Sequence, residues 1–428
     1  MFKILVTLAI TCAIVQAQVT GTLTAASAEP SAVSPSQSVN QVIEWNRTLL
    51  VIVRTPGAQP STIHSTRSFA ILHAAVYDSV NNIDGFFGPY LVRLSDVSRQ
   101  ASQPAAVDQA AHDVLVALYP AFQTTLDSEL QQDLAQIKDG KDKSDGVSIG
   151  QIVAAEILAF RSNDGSGVTL PPFIPGNDPG GYQFTPPNFA PADFTQWPAV
   201  TPFALARADE FRPGPPPVLA SEEYRRVFHE VKSLGEVDSK TRTEDQTLIG
   251  NFWNGNIQDF WNEIAQTAAL EHHLNLAQSA RLFALLNISL ADSAIAFFEA
   301  KYTYQFWRPV TAIQAGNDGN PSTNPDADWL PLTTKTAPDP SYPGAHSTIS
   351  FAGAEVLRFF FGDKFVFDVT SESLQGVKRH FSRFSAAAQE AGLSRIYAGQ
   401  HFRTDHIAGK VLGQQVAESI VDTILLPR

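Results

Sequence analysis

The stretch LNLAQSARLFALLNISLADSAIAFFEAKYTY, residues 274–304, decides the fold class, because it predicts one long helix or two stacked helices. A second helical pattern lies upstream, where Phe69, Leu72, Val76 and Val80 recur at steps of three and four. That spacing puts the four side chains on one buried face of a helix. Helical patterns on both sides of the middle of the sequence thus point to a helical protein.

Helix-start residues extend this pattern through the C-terminal half. Ser221 is a predicted N-cap, and Thr243 with Gln246 fits a capping box. Further helices are predicted at 344–361, 371–391 and 400–425. Because we find neither convincing β alternation nor an internal repeat, we predict an all-α protein. It would have two packed helical bundles with a Pro-rich covering segment between them.

The composition limits the classes of partner. The chain has 428 residues, of which 44% are hydrophobic and 17% charged, as in globular proteins. Its net charge of -13 argues against a nucleic-acid partner and against an anionic membrane surface. Any cluster of basic residues in so acidic a chain is therefore informative.

The N-terminal residues predict a secretory signal. Lys3 precedes a short apolar run, Ile4 to Val15, and Ala17 ends a plausible cleavage site. The run is too short for a membrane span, although an uncleaved anchor stays open. We expect a secreted protein, extracellular or periplasmic, with no membrane span in the mature chain.

Composition shifts divide the rest of the chain. Thirteen of the 28 prolines fall in residues 163–217, which excludes long regular helices there. The aromatic residues of this segment, Phe189 and Trp197 among them, need burial, so it would wrap over the helices. The predicted division is a signal peptide at 1–17, a flexible tail at 18–41, an N-terminal helical bundle at 42–162, a Pro/Gly-rich wrapping segment at 163–220, and a C-terminal helical bundle at 221–428 that carries an oxyanion site.

Three segments carry the candidate chemistry, and the first is KYTYQFWRP, residues 301–309. Lys301 and Arg308 are seven residues apart, so on one helix they would share a face, about 10 Å apart along the axis. Pro309 disfavours helix at Arg308 and places it near a helix end. Two cations so placed can converge on one anion, although a solvated basic face is the alternative.

The second segment is PSYPGAHS, residues 340–347, followed by an apolar helix. Pro343 suits the first helical position. Gly344 and Ala345 would then offer backbone N–H groups to an anion at a helix N-terminus. His346 could exchange a proton there, or it could be a structural histidine that caps the turn.

The third segment is SRIYAGQHFRTD, residues 394–405. His401 and Asp405 are four apart and would share a helix face, where the carboxylate can hold one imidazole nitrogen and leave the other free. Gly399 permits a break, so Arg395 could return across a turn. An ordinary ion pair between neighbouring helical turns is the alternative.

In this order the three segments resemble the signature of the vanadium-dependent haloperoxidase family, within the superfamily that also includes the type 2 phosphatidic acid phosphatases. The resemblance covers roughly residues 42–425, with its strong part at 301–405. It implies vanadate as cofactor, although phosphate could occupy the same site. In the implied site the equatorial oxygens bind to basic side chains and to backbone N–H groups, His401 is the axial vanadium ligand, and His346 is the acid–base histidine. The implied vanadate-binding set is Lys301, Arg308, Gly344, Ala345, His346, Arg395 and His401, with Asp405 and Lys301 also counted as catalytic.

Three places depart from the family pattern. The family usually has Ser-Gly before the acid–base histidine, where this chain has Gly344 and Ala345; the lost hydroxyl would weaken vanadate binding by about 1 kcal/mol. Seven residues before His346, where the family often has an aromatic residue or His near the halide, this chain has Asp339. An acidic residue usually supports the last arginine, and here Asn256 falls near that place, with Asp259 as a substitute.

The resemblance implies oxidation of halide by hydrogen peroxide to hypohalous acid, which would act on a small organic acceptor. A mature chain without Cys12 and Met1, the only Cys and Met, suits such a product, although compositional drift explains it equally well. A secreted acid phosphatase that uses the same pocket through a phosphohistidine is the alternative. A catalytically silent oxyanion-binding protein is a third. Helical bundles of this kind also make a homo-oligomer possible.

Overall fold

Thirteen α-helices and one two-stranded sheet make up the part of the chain that the computed structural model describes, residues 40–58, 64–316 and 318–428. The predicted signal peptide, 1–17, and nearly all of the predicted tail, 18–41, lie outside the described residues. The elements are α1 Gln41–Arg54, α2 Ser65–Asp84, α3 Gln103–Leu118, α4 Gln123–Ala135, α5 Lys141–Arg161, α6 Glu222–Leu234, α7 Glu244–Phe252, α8 Ile257–Glu271, α9 Leu276–Tyr304, α10 Pro309–Ala315, α11 Ala345–Phe361, β1 Lys364–Thr370, β2 Lys378–Arg383, α12 Phe384–Tyr397 and α13 Arg403–Thr423.

Helix α9 is the central element and confirms the prediction from residues 274–304, as one helix. Asn275 caps its first turn, and Gln278 completes a capping box with it. The helix packs against α2, α11 and α13. Within the described chain it alone is long and apolar enough to cross a membrane, and its apolar window is entirely buried in the protein. A core helix has this character.

The predicted all-α class is confirmed, with one local correction. Residues 371–391, predicted as a helix, instead contain strand β2, and α12 begins only at Phe384. β1 and β2 pair as an antiparallel hairpin with Phe367 opposite Phe381. These two rings pack together and Phe367 also packs on Phe384. Cross-strand aromatic packing therefore outweighs helix propensity here.

The proline-rich segment contains no α-helix between Arg161 and Glu222, as predicted. Tyr182, Trp197 and Phe203 are buried, whereas Phe189 is 60% exposed, against expectation. The buried carboxylate of Asp292 on α9 accepts hydrogen bonds from the backbone N–H groups of residues 203–205, at 2.6–2.8 Å. The segment is thus fastened to the central helix nine residues before Lys301.

Residues 40–428 form one compact unit. The Ser221 cap of α6 and the Thr243–Gln246 capping box of α7 are both present, as predicted. The division of this unit into bundles at 162 and 221 stays a prediction.

Candidate oxyanion site

A pocket of about 100 Å³ lies where the chain segments carrying the three motifs meet. Five of the eight predicted site residues line it, and Lys301, Gly344 and Asp405 lie behind its wall. Apolar side chains of α9 form another part of the wall. The lining residues are Gly255, Asn256, Ile257, Gln258, Phe297, Phe298, Arg308, Ala337, Asp339, Ala345, His346, Arg395 and His401.

The sequence predicted that Lys301 and Arg308 would share one helix face. In the structure they lie in different elements and converge through a turn. Lys301 lies in the last turn of α9, which ends in a left-handed residue, Gln305, with a φ of 48°. Arg308 is the N-cap of the next helix, α10. The turn brings both cations onto one oxygen, Oδ1 of Asp339.

The ammonium group of Lys301 is completely buried. Its Nζ donates to Asp339 Oδ1 at 2.9 Å, to Ser341 O at 3.2 Å and to Pro340 O. Burial, which disfavours the charged form, lowers the pKa of Lys301 to about 8, against the opposing effect of Asp339. An ammonium has three N–H donors, so all of them are engaged within the protein.

Arg308 binds the same wall with each of its nitrogens. Nε donates to Asp339 O at 2.8 Å, Nη2 to Asp339 Oδ1, and Nη1 to Gln400 O at 3.1 Å. Nη1 also lies 3.2 Å from His401 Nε2. Although burial alone would raise the pKa of Asp339, the charges of Lys301 and Arg308 hold it below its ordinary value.

His401 and Asp405 meet as predicted, but not on a helix face. α13 begins at Arg403 with Phe402 as its N-cap, so His401 lies in the linker before it. Asp405 Oδ2 accepts from Phe402 N at 3.0 Å and from Ser341 Oγ at 2.5 Å. The same oxygen lies 3.0 Å from His401 Nδ1. The capping carboxylate of α13 therefore also holds the imidazole.

Electrostatics keep His401 neutral. Burial, then the charges of Arg308, Lys301 and Arg395, lower its pKa well below the ordinary value. Since the carboxylate accepts from Nδ1, the hydrogen-bond network assigns the proton to Nδ1 and the lone pair to Nε2. A neutral imidazole with a lone pair at the pocket is a suitable ligand for an electrophilic centre.

The first turn of α11 brings His346 to the pocket. Gly344 is its N-cap, so Pro343 lies outside the helix and not at its first position. His346 Nε2 lies 2.9 Å from Trp253 O and donates to it, which leaves Nδ1 as the acceptor. Burial and the Arg395 charge lower the pKa of His346 well below its ordinary value.

The two small residues before His346 differ in their availability. The Gly344 N–H donates to Asp405 O at 2.9 Å and so joins α11 to α13. Ala345 lines the pocket, and in the described chain its N–H, in the first helical turn, donates to no acceptor. A helix N-terminus with such a donor attracts an anion.

Arg395 has the least compensated charge of the site. It is 8% exposed, its Nη1 donates to Asn254 Oδ1 at 3.2 Å, and its Nε has no hydrogen-bond partner in the described chain. Burial, reinforced by Arg308, lowers its pKa to about 9. Sequence reasoning pointed to Asn256 or Asp259 as its support and missed Asn254, which lies in the same short loop after α7.

Asp259 is instead in a separate pocket with Arg54 and Glu263. The support of Arg395 is thus an amide and not a carboxylate. Beside the Asp339 carboxylate, the site presents two guanidinium groups, one helix N-terminus and two neutral histidines to one small volume, and these groups favour a tetrahedral oxyanion with several acceptor oxygens.

Comparisons with known proteins show what the chain as a whole is similar to. A sequence profile of the VCPO second helical-bundle domain matches residues 281–425. The vanadium chloroperoxidase of Curvularia inaequalis is 24% identical over 493 residues, covering 87% of this chain and 80% of the relative.

Solved structures are similar over nearly the whole chain. The crystal structure described as the first bacterial vanadium-dependent iodoperoxidase has a TM-score of 0.77 and 25% identity, covering 94% of this chain and 99% of that one. A holo-type bacterial vanadium-dependent chloroperoxidase has a TM-score of 0.68 and 16% identity, covering 90% and 97%. Residues 281–425 thus match a domain of vanadium chloroperoxidases, and the chain as a whole is similar to bacterial vanadium-dependent haloperoxidases in its helical fold.

Proposed function

We propose that this chain is a secreted vanadate-dependent haloperoxidase that oxidises halide with hydrogen peroxide to hypohalous acid. Its immediate substrates would be peroxide and halide, and its product would halogenate a small organic acceptor. The observation that carries the proposal is Arg395, a buried guanidinium that faces the pocket and that has, among the described residues, one hydrogen bond and no carboxylate partner. Burying such a charge is costly unless an anion compensates it.

The donor set fits vanadate. Arg308 and Arg395 would donate to its oxygens together with the Ala345 N–H, and His401 Nε2 would be its nitrogen ligand. The group would supply Lewis acidity toward peroxide when bound. We do not assign Gly344 a direct contact, because its N–H is used by Asp405 O.

The protein's own side chains would place and transfer protons and exclude water. Asp405 keeps the proton of His401 on Nδ1, so that Nε2 stays available. His346 Nδ1 can accept or return a proton at the reacting oxygens, with its ring held by Trp253 O. Phe297 and Phe298 restrict water on one side of the pocket.

Peroxide-dependent halogenation of a dye by the purified protein tests the proposal, with and without orthovanadate, using iodide, bromide and chloride in turn. We expect turnover that needs vanadate and disappears in His401→Ala. Hydrolysis of a phosphate monoester, inhibited by vanadate and without halogenation, would instead support the phosphatase. Binding of vanadate or phosphate with neither turnover would support the silent oxyanion-binding protein.

A further inference from the structure

One carboxylate oxygen, Oδ1 of Asp339, accepts hydrogen bonds from both Lys301 and Arg308. These are two of the three cations that the family resemblance assigns to the oxyanion. Asp339 itself lines the pocket, and its side chain is 14% exposed. The Asp339 carboxylate thus occupies the position next to Lys301 and Arg308 in which these two cations would compensate the charge of a bound oxyanion.

Lys301 has no free N–H donor for an oxyanion in the described chain. All three are engaged, by Asp339 Oδ1, Pro340 O and Ser341 O, and Lys301 is not among the lining residues. To donate to an oxyanion, Lys301 has to release one of these acceptors. Arg308 Nη2 also donates to Asp339 Oδ1, but it carries a second N–H, so Arg308 shares its charge with Asp339 without having every donor engaged.

The acceptor that can move is the carboxylate. The carbonyls of Pro340 and Ser341 belong to a backbone segment that the Ser341 N–H fastens to Phe306 O at 2.8 Å. The Asp339 side chain needs only rotation about its own bonds, and it borders the pocket volume. Two like charges competing for one pair of cations also repel each other, which adds to the cost of binding.

We propose that Asp339 is an internal competitor of the oxyanion for Lys301 and Arg308, and that it sets the affinity of the pocket for tetrahedral anions. Binding would proceed with displacement of the Asp339 carboxylate from Lys301. This proposal rests on the proposed function, because it presumes that the pocket takes an oxyanion. It goes further by assigning a role to Asp339. A residue that positions the two cations would strengthen oxyanion binding, whereas Asp339 would weaken it.

Isothermal titration of orthovanadate, and separately of inorganic phosphate, into the wild type, Asp339→Asn and Asp193→Asn tests it. The Asn side chain keeps the shape and one acceptor but removes the charge, so we expect at least about tenfold tighter binding of both anions. Asp193 is the matched control, because it is exposed and its carboxylate makes, within the described chain, no hydrogen bond or ion pair with Lys301 or Arg308. Its substitution should leave both dissociation constants unchanged.

Equal affinities in the wild type and Asp339→Asn would overturn the competition, as would weaker binding in the variant, which is what a positioning residue would give. If no folded protein of the three bound either anion, the proposed function would fail as well. A second test uses the unaltered protein and does not depend on the folding of a variant. A crystal structure with orthovanadate should show the Asp339 carboxylate beyond hydrogen-bonding distance of Lys301 Nζ, and an intact contact there would contradict the proposal.

Discussion

His401 Nδ1 donates to Oδ2 of Asp405 across 3.0 Å, and this contact leaves the lone pair on Nε2, the nitrogen that lies 3.2 Å from Arg308 Nη1. The same Oδ2 also accepts from the Phe402 N–H and from Ser341 Oγ, so three donors hold it in place. The pocket nitrogen is therefore set by the first turn of α13 and not by the histidine alone.

Replacing Asp405 by Asn should weaken orthovanadate binding about 10–100-fold, because outer-shell partners of metal-ligating histidines typically contribute that much. The amide can present its NH₂ group to Nδ1 and so favour the opposite tautomer. Titration calorimetry measures the effect. Ser341→Ala, which removes one donor to the same oxygen but keeps the carboxylate, should lose less; an unchanged affinity in Asp405→Asn would contradict the role given to this contact.

Replacing Arg395 by Met should have opposite effects on stability and on binding. Without an oxyanion, removal of a poorly compensated buried charge should raise the free energy of unfolding by about 1 kcal/mol or more, as measured by urea unfolding. Orthovanadate affinity should fall about 100-fold or more, because charged hydrogen bonds to the anion are lost.

Arg403→Met is the control for Arg395, since Arg403 forms a bidentate pair with Glu230 outside the pocket. There we expect slightly lower stability and unchanged oxyanion affinity. A loss of stability in Arg395→Met, without any loss of affinity, would argue that Arg395 is a structural residue.

Much of the fold could be predicted from the sequence, because the residues that begin and end a helix lie close together in the chain. The caps at Ser221 and Thr243 depend on residues three positions apart, and both form as predicted. The hairpin at 364–383 was not readable, because its stability comes from Phe367, Phe381 and Phe384 meeting across strands. Alternation over six or seven residues is too short to identify such strands in one sequence.

Five of the eight predicted site residues line one pocket, but the local structure that brings them there differs from the predicted one. The pairings of Lys301 with Arg308 and of His401 with Asp405 were predicted from helical spacing. In the structure a turn brings the first pair together, and the cap of α13 brings the second pair together. The contact of Asp339 with the two cations could not be foreseen, since 38 and 31 residues separate the partners. Asn254 was missed because the family pattern placed the supporting residue at Asn256, two positions later in the same loop.

Iodide should be the halide oxidised with the highest kcat/KM, followed by bromide and then chloride. Iodide is the easiest of the three to oxidise and the least costly to desolvate, and the Asp339 carboxylate in the pocket wall makes each anion harder to admit. Steady-state rates at fixed peroxide with each halide measure the order. A preference for chloride over iodide would show that the wall does not impose this cost.

The buried carboxyl of Asp108 should make stability depend on pH in a defined direction. Its Oδ1 accepts from Trp45 Nε1 at 3.0 Å and burial raises its pKa from 3.8 to about 7. Between these values the folded state keeps a proton that the unfolded state has released. The contribution of Asp108 to the free energy of unfolding therefore falls as the pH rises from about 4 to about 7, by up to about 4 kcal/mol.

Asp108→Asn has no proton to lose at this position. Its free energy of unfolding relative to the wild type should thus increase across the same window, measured by urea unfolding at a series of pH values. Parallel curves for the two proteins would mean that Asp108 titrates normally in the fold.

Replacing Asp292 by Ala should loosen the proline-rich segment before the rest of the protein unfolds. Three backbone N–H groups at residues 203–205 would lose their acceptor, each at about 1–3 kcal/mol if it stays buried. Because Phe194 of the segment packs on Phe298, which lines the pocket, the loosening should also reach the site. We expect limited proteolysis to cut first within residues 163–217, together with a lower temperature of inactivation.

Asp209→Ala, at an exposed ion pair of the same segment, is the control and should change neither the cleavage pattern nor the temperature of inactivation. Identical cleavage patterns in Asp292→Ala and the wild type would mean that the segment is held by its buried aromatic residues alone.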